Sequence, residues 1–243
     1  MKNILTLTFA ITLTLFGVSE IQAQKENKKV VGNGNVTTKT VNTSNYDAIK
    51  GVGSMDLHLQ KGTEGNITVT TDDNLHQYIV VEVKDNTLVV RTKKKTYLKT
   101  NKGIHVTVPY QDISKIALVG SGDIDCKDTV KAKNLDVSVT GSGDVVLAVE
   151  TNTLEAKVTG SGDMKLSGTT RDLGVTIAGS GDFKGFELSS QNTESTVSGS
   201  GDIKVVAKKS IKARVHGSGD IAYKGNPEHS DNKTSGSGDI NSY

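Results

Sequence analysis

From Tyr46 onward the chain alternates apolar and polar residues in short runs. Leu57 and Leu59 alternate with Asp56 and His58, and Ile67 and Val69 with Thr68 and Thr70. Val81 and Val83 alternate with Glu82 and Lys84, and Leu88 and Val90 follow an Asp85-Asn86 turn. Ile104, Val106 and Val108 alternate with His105 and Thr107 until Pro109 ends the run. Period-two alternation in short segments predicts half-buried strands. Residues 72–78 are the one stretch that reads as a helical turn.

Past residue 119 a longer period takes over. Gly-Ser-Gly-Asp begins at Gly120, Gly141, Gly160, Gly179, Gly199, Gly217 and Gly236, at intervals of 21, 19, 19, 20, 18 and 19 residues. A period of this size predicts a stacked solenoid. Each unit reads as a short strand after the Asp, a polar bend, and a second strand running into the next Gly. Ile124, Val145, Met164, Phe183, Ile203, Ile221 and Ile240 each follow an Asp directly, which predicts one inward stack at the strand spacing of about 4.8 Å. Leu135, Val137 and Val139, with Leu154, Ala156 and Val158 and with Ile211, Ala213 and Val215, predict a second. Glycine suits a sharp bend and close backbone approach, and Ser and Asp bond turn N–H groups. Residues 224–235 are polar and contain Pro227, so the last coil is expected to fray or to serve as a polar cap.

Composition narrows the function. Basic and acidic residues number 29 and 27, so net charge offers no case for nucleic-acid binding. Lys2, the uncharged run Ile4–Val18 and the Ile21-Gln22-Ala23 stretch read as a signal peptide over residues 1–23. The run is shorter than the roughly 18 residues of a membrane span, so no integral membrane segment is expected after cleavage. Residues 24–44 read as a flexible polar leader, with a strand at most near its end. Cys126 is the single cysteine, which leaves no internal disulfide; it is expected on the inward side as an inert thiol.

Two groups of residues are candidate sites. Asp123, Asp144, Asp163, Asp182, Asp202 and Asp220, with Asp239 beyond them, stack in register if the solenoid forms. Carboxylates about 5 Å apart repel by roughly 1 kcal/mol in water and roughly 3 at an effective dielectric near 20. Turn N–H groups, serine hydroxyls, splayed side chains or a cation such as calcium would offset that, and calcium is the only cofactor the residues raise. Arg91, Lys93, Lys94, Lys95, Lys99 and Lys102, with Tyr97 among them, form a basic aromatic loop suited to an anionic polysaccharide or a lipid headgroup; the same residues also suit a solvated hairpin end that blocks edge pairing. Lys204, Lys208, Lys209, Lys212 and Arg214 read as a second basic group on one outer face. The five histidines lack metal-ligand spacing, and His58 and His105 read as solvated positions on outward strand faces. No Gly-x-Ser-x-Gly elbow occurs, so no catalytic residue is assigned.

Several of these segments together resemble a known family. Tyr46-Asp47-Ala48-Ile49 with Gly51-Val52-Gly53, Asp73-Asn74-Leu75, Val106-Thr107-Val108-Pro109, Ile116–Gly120 and the Gly-Ser-Gly-Asp units are similar to the putative auto-transporter adhesin, head GIN domain family of exported Bacteroidetes proteins, over roughly residues 45–225. The resemblance implies an all-β fold, a right-handed parallel β-helix-like solenoid, and an adhesive role without catalytic residues. On this reading residues 45–118 form a non-repeating N-terminal β segment and residues 119–243 the coils. The chain ends in Gly-Ser-Gly-Asp-Ile-Asn-Ser-Tyr243 with no room for a membrane barrel, so transport by other machinery is expected. The expected protein is exported to the periplasm or cell surface of a Gram-negative bacterium. There it would bind an envelope polysaccharide or a surface protein, and its oligomeric state is open. A carbohydrate-active β-helix enzyme and a purely structural envelope module are the alternatives.

Overall fold

The computed structural model describes residues 28–243, so the signal peptide expected over residues 1–23 and the first residues of the expected leader lie outside the described residues. The described part of the expected flexible leader instead forms two strands, β1 (Lys28–Val31) and β2 (Val36–Asn42). Then come β3 (Ala48–Gly53), β4 (Asp56–Lys61), β5 (Asn66–Asp72), a 3-10 helix at Asp73–Tyr78 where the helical turn was expected, β6 (Ile79–Lys84) and β7 (Thr87–Thr92). Short β8 (Thr96–Lys99), β9 (His105–Tyr110) and β10 (Lys115–Gly120) precede the repeats.

In the repeats each coil is one long run of ladder: β11 (Ile124–Gly141), β12 (Val145–Gly160), β13 (Met164–Gly179), β14 (Phe183–Gly199) and β15 (Ile203–Gly217). The polar bend expected mid-coil does not interrupt pairing. Length differences are absorbed mostly in the strand before it, where register shifts fall at 125–129, 165–167 and 184–189, with one at the bend itself at 190–192, as bulges in paired strands do. The closing coil is β16 (Ile221–Lys224), β17 (His229–Gly236) and β18 (Ile240–Ser242). The stack is a parallel β-solenoid of about seven turns.

The two inward rows form as the residue pattern predicts. Val69, Val106, Leu57, Ile124, Val145, Met164, Phe183, Ile203 and Ile221 are register neighbours, all buried. Opposite them run Leu88, Ile49, Ile116, Val137, Ala156, Val175, Ser195 and Ala213. Both rows begin well before residue 119, so the region read as non-repeating already builds solenoid core.

The chain enters this stack from the inside. β3 lies between β7 and β10, and β4 between β9 and β11. The segment after β9 therefore passes the β3–β4 level before it resumes the stack at β10. Glu64 fastens this crossing: its buried carboxylate accepts the peptide N–H of Tyr46 at 2.9 Å and of Gln111 at 3.0 Å. The Tyr46 hydroxyl donates to the Pro109 carbonyl, and burial, with the Glu64 charge beside it, pushes that hydroxyl's pKa well above its ordinary value. Antiparallel β6 closes this end on one face, and β5 with β2 on the other. The far end does not fray. β17 keeps register with β15 over eight residues, and Ser230, Asn232 and Thr234 stand over Ile211, Ala213 and Val215, forming the polar cap a solenoid end requires.

Candidate functional site

The Gly-Ser-Gly-Asp corner is built by backbone. In every unit the first glycine has φ between +118° and +137°, and a Cβ there would collide with the carbonyl of the equivalent glycine one coil back. The second glycine meets the same obstacle. That carbonyl accepts two N–H groups: Ser142 and Gly143 reach Gly120 O at 2.9 and 3.1 Å, and the pattern repeats down the stack. The serines all face solvent. The aspartates are bonded to one another along the stack. Each peptide N–H from Asp123 to Asp239 donates to Oδ1 of the Asp one coil earlier, at 2.8 to 3.1 Å. Turn N–H groups thus offset the stacked charge.

The first acceptor in this series is Asp56, so Gly53-Ser54-Met55-Asp56 is a corner that exact matching of the motif misses. Met55 takes the place of the second glycine and buries its side chain in the core; at this first corner a Cβ built on Gly53 meets no atom within 4 Å, unlike its equivalents in the later coils. Among the described residues no three His, Cys, Asp or Glu side chains are placed to hold a metal ion. Lys184 Nζ lies 2.5 Å from Asp163 Oδ2. Partial burial would raise the Asp163 pKa, but the Lys184 ammonium and the Asp182 N–H outweigh it and hold the carboxyl below the usual carboxylate range.

The basic loop becomes a ribbon. β8 pairs in parallel with β1, apart from the main sheet, with Lys29 beside Tyr97 and Val31 beside Lys99. Partners in register share a face, so Lys29, Val31, Tyr97 and Lys99 project together. Tyr97 is 61% and Val31 57% exposed. Val30 and Leu98, one residue on, turn inward against the core. Lys93, Lys94 and Lys95 stand exposed at the preceding turn, where Lys95 has φ +59°. Arg91 is not part of this face, being held by Glu82 Oε1 at 2.9 and 3.2 Å. Lys28 turns away to the Tyr78 hydroxyl at 3.0 Å. Sequence reasoning grouped Lys93 to Lys99 and did not place Lys29 and Val31 beside them. Their partner is 68 residues away, and Lys-Lys-Val-Val carries no alternation.

Two other expectations are corrected. Lys204 belongs to an outer row with Lys165 and Lys184, whereas Lys212 and Arg214 lie on the other face, paired with Glu194 at 2.6 Å and with Asp231; the second basic group is therefore divided, and two of its five members are paired. His58 and His105 are not separate solvated positions. Their rings stack at 5.4 Å, and His58 Nε2 lies 3.1 Å from His105 Nδ1. His58 Nδ1 faces Asp125 Oδ2 at 2.6 Å, and His105 Nε2 faces the Lys102 carbonyl at 3.2 Å. Every bond of this chain is made when the two rings share three N–H protons, a single positive charge set against Asp125 and Asp56.

A groove of about 800 Å³ crosses the outer face of β13, β14, β15 and β17. It is open at Gly174, where the row Glu155, Gly174, Glu194, Lys212, Asp231 lacks a side chain. Three of its five carboxylates have partners: Asn192 and Arg171 for Asp172, Lys212 for Glu194, Arg214 for Asp231. Asp172 is held below the usual carboxylate range, first by Asn192 and then by Arg171. Cys126 is half-buried with Sγ 3.5 Å from the Tyr110 hydroxyl, and burial raises its thiol pKa; a thiol of that kind is a poor nucleophile.

Known proteins share this architecture. A crystal structure named a putative adhesin, from Bacteroides fragilis, is similar at a TM-score of 0.84 and 26% identity, covering 88% of this chain and 100% of its own. A putative lipid binding protein from Parabacteroides distasonis is similar at 0.76 and 28%, covering 89% and 100%. A putative adhesin from the same species gives 0.72 and 26%, with 89% and 100% covered. No curated protein matches the chain. The family model described as "Putative auto-transporter adhesin, head GIN domain" matches residues 45–227. With most of its length inside that match and its coils superposing on solved adhesin-like solenoids, the chain belongs to the head GIN domain family.

Proposed function

We propose that the protein is an exported, non-catalytic binding module that attaches to anionic polymers or lipids of the cell envelope through the β1–β8 ribbon. One observation carries this reading: the ribbon sets Lys29 and Lys99 on one face with exposed Tyr97, Lys93, Lys94 and Lys95 stand exposed at the turn before it, and neither segment contributes a carboxylate of its own. Residues 86–111 and 28–46 contain no Asp or Glu. Such a patch concentrates positive potential in a chain whose net charge is only +2. The adhesin names of similar structures, and the lipid-binding name of one, agree with an attachment role. The serine corners and aspartate ladder act as the scaffold that holds the ribbon at one end.

The test is an array of envelope polysaccharides and phospholipids probed with the wild-type protein and with Lys93→Ala/Lys94→Ala/Lys95→Ala. Selective retention on anionic members, reduced at least tenfold in the triple variant and weakened by salt, is the expected result. Retention on none of them, or retention indifferent to the three lysines, overturns the reading.

A further inference from the structure

We infer that the ribbon docks on an anionic lipid leaflet, with Tyr97 and Val31 seated at headgroup level and Lys29, Lys93, Lys94, Lys95 and Lys99 on the lipid phosphates; this rests on the binding role proposed above and names its ligand. The face has a particular composition. Register puts Lys29 next to Tyr97 and Val31 next to Lys99, so apolar and cationic side chains alternate on a two-by-two patch. Lysines alone would serve a soluble polyanion equally well. The exposed valine is what separates the two ligands. A flexible glycan gains little from an isolated aliphatic side chain, whereas a bilayer offers it the acyl boundary just beneath the phosphates. Tyr97 suits the same depth, with a ring that prefers the apolar side and a hydroxyl that prefers the wet side.

The lysines are long enough to reach back to the phosphate plane while the tips of Tyr97 and Val31 sit below it. The opposite face of the ribbon is anchored, since Val30 and Leu98 pack against the core. The patch is therefore a fixed projection, and seating it costs little ordering. The contact is peripheral: among the described residues no helix is long and apolar enough to cross a membrane.

The chain contains no tryptophan, so Tyr97→Trp places a single fluorophore at the proposed depth, on an exposed site that tolerates the exchange. The protein is mixed with phosphatidylcholine vesicles and with vesicles carrying phosphatidylglycerol in addition. Expected are sedimentation with the anionic vesicles only, a blue shift of the introduced indole, and quenching by brominated acyl chains. Lys93→Ala/Lys94→Ala/Lys95→Ala should lower the partition coefficient about a hundredfold, each lysine being worth about fivefold near an anionic surface. In the unlabelled protein, Tyr97→Ser and Val31→Ser should each lower it several-fold without a change in melting temperature. Sedimentation without a blue shift, and unaffected by Tyr97→Ser, would mean a headgroup contact alone and would overturn the seating. No sedimentation with either vesicle overturns the inference; the binding role survives if the array still shows retention on anionic polysaccharide, and falls with it if the array shows none.

Discussion

At the residue scale the two glycines of each corner answer to sterics, and the serine between them to nothing within the fold. Gly162→Ala forces a Cβ onto the Gly143 carbonyl, and Gly160→Ala adds a residue with φ +118° to the same collision. Each is expected to cost about 3 kcal/mol, read as a fall in the urea midpoint, whereas exposed Ser161→Ala should stay within about 0.5 kcal/mol. A large loss for Ser161→Ala would give the hydroxyl a structural part that the geometry lacks. Ser195 is the reverse case. Its hydroxyl is fully buried and has no hydrogen-bond partner, in a row whose neighbours are Val175 and Ala213. Ser195→Ala should therefore stabilise the protein, by about 1 kcal/mol on the usual penalty for an orphaned buried group, and a lower melting temperature would contradict this. The glycines were legible in the sequence because steric demand repeats with the coil; the corner at Met55 was not, because a core side chain stands there in place of the second glycine.

At the scale of elements, the aspartate ladder replaces an electrostatic problem with a hydrogen-bonding one. Asp163→Ala removes the acceptor for the Asp182 N–H and should cost about 1–2 kcal/mol, while Asp163→Asn keeps an oxygen there and should cost less. The carboxyl titrates below its ordinary range in the folded protein, so its ionised form favours folding. That contribution is complete above about pH 4, the unfolded-state value, and disappears as pH falls through the lower folded value. Asp163→Asn should accordingly flatten the decline of melting temperature below pH 4. Millimolar calcium should leave the melting temperature unchanged, since each Oδ1 from Asp56 to Asp220 already accepts an N–H; a rise of several degrees would mean that Oδ2 recruits the ion. The strands of the repeat could be read directly from their apolar positions. The pairing of β1 with β8 could not, because parallel partners 68 residues apart leave no local periodicity, and the place of Lys29 and Val31 beside Tyr97 and Lys99 stayed hidden with it.

At the scale of the whole molecule, the stack has one closed end and one polar end, and between them identical joints. The crossing at Glu64 ties the β3–β4 level to segments on both sides, which only the three-dimensional order of strands reveals. Every corner from Gly120 to Gly236 presents the same glycine carbonyl and aspartate oxygen to the next. Removal of residues 141–159 joins Thr140 to Gly160 and leaves each joint intact. The shortened chain should fold with a modest fall in melting temperature and a solenoid shorter by about 4.8 Å, measurable by small-angle scattering; collapse of the fold would show that the coils are not interchangeable. The number of coils is then an adjustable length. Whole coils can be added or removed without disturbing either end of the stack. What changes is how far the polar tip stands from the β1–β8 ribbon at the other end, so the repeat acts as a ruler whose graduations are single coils.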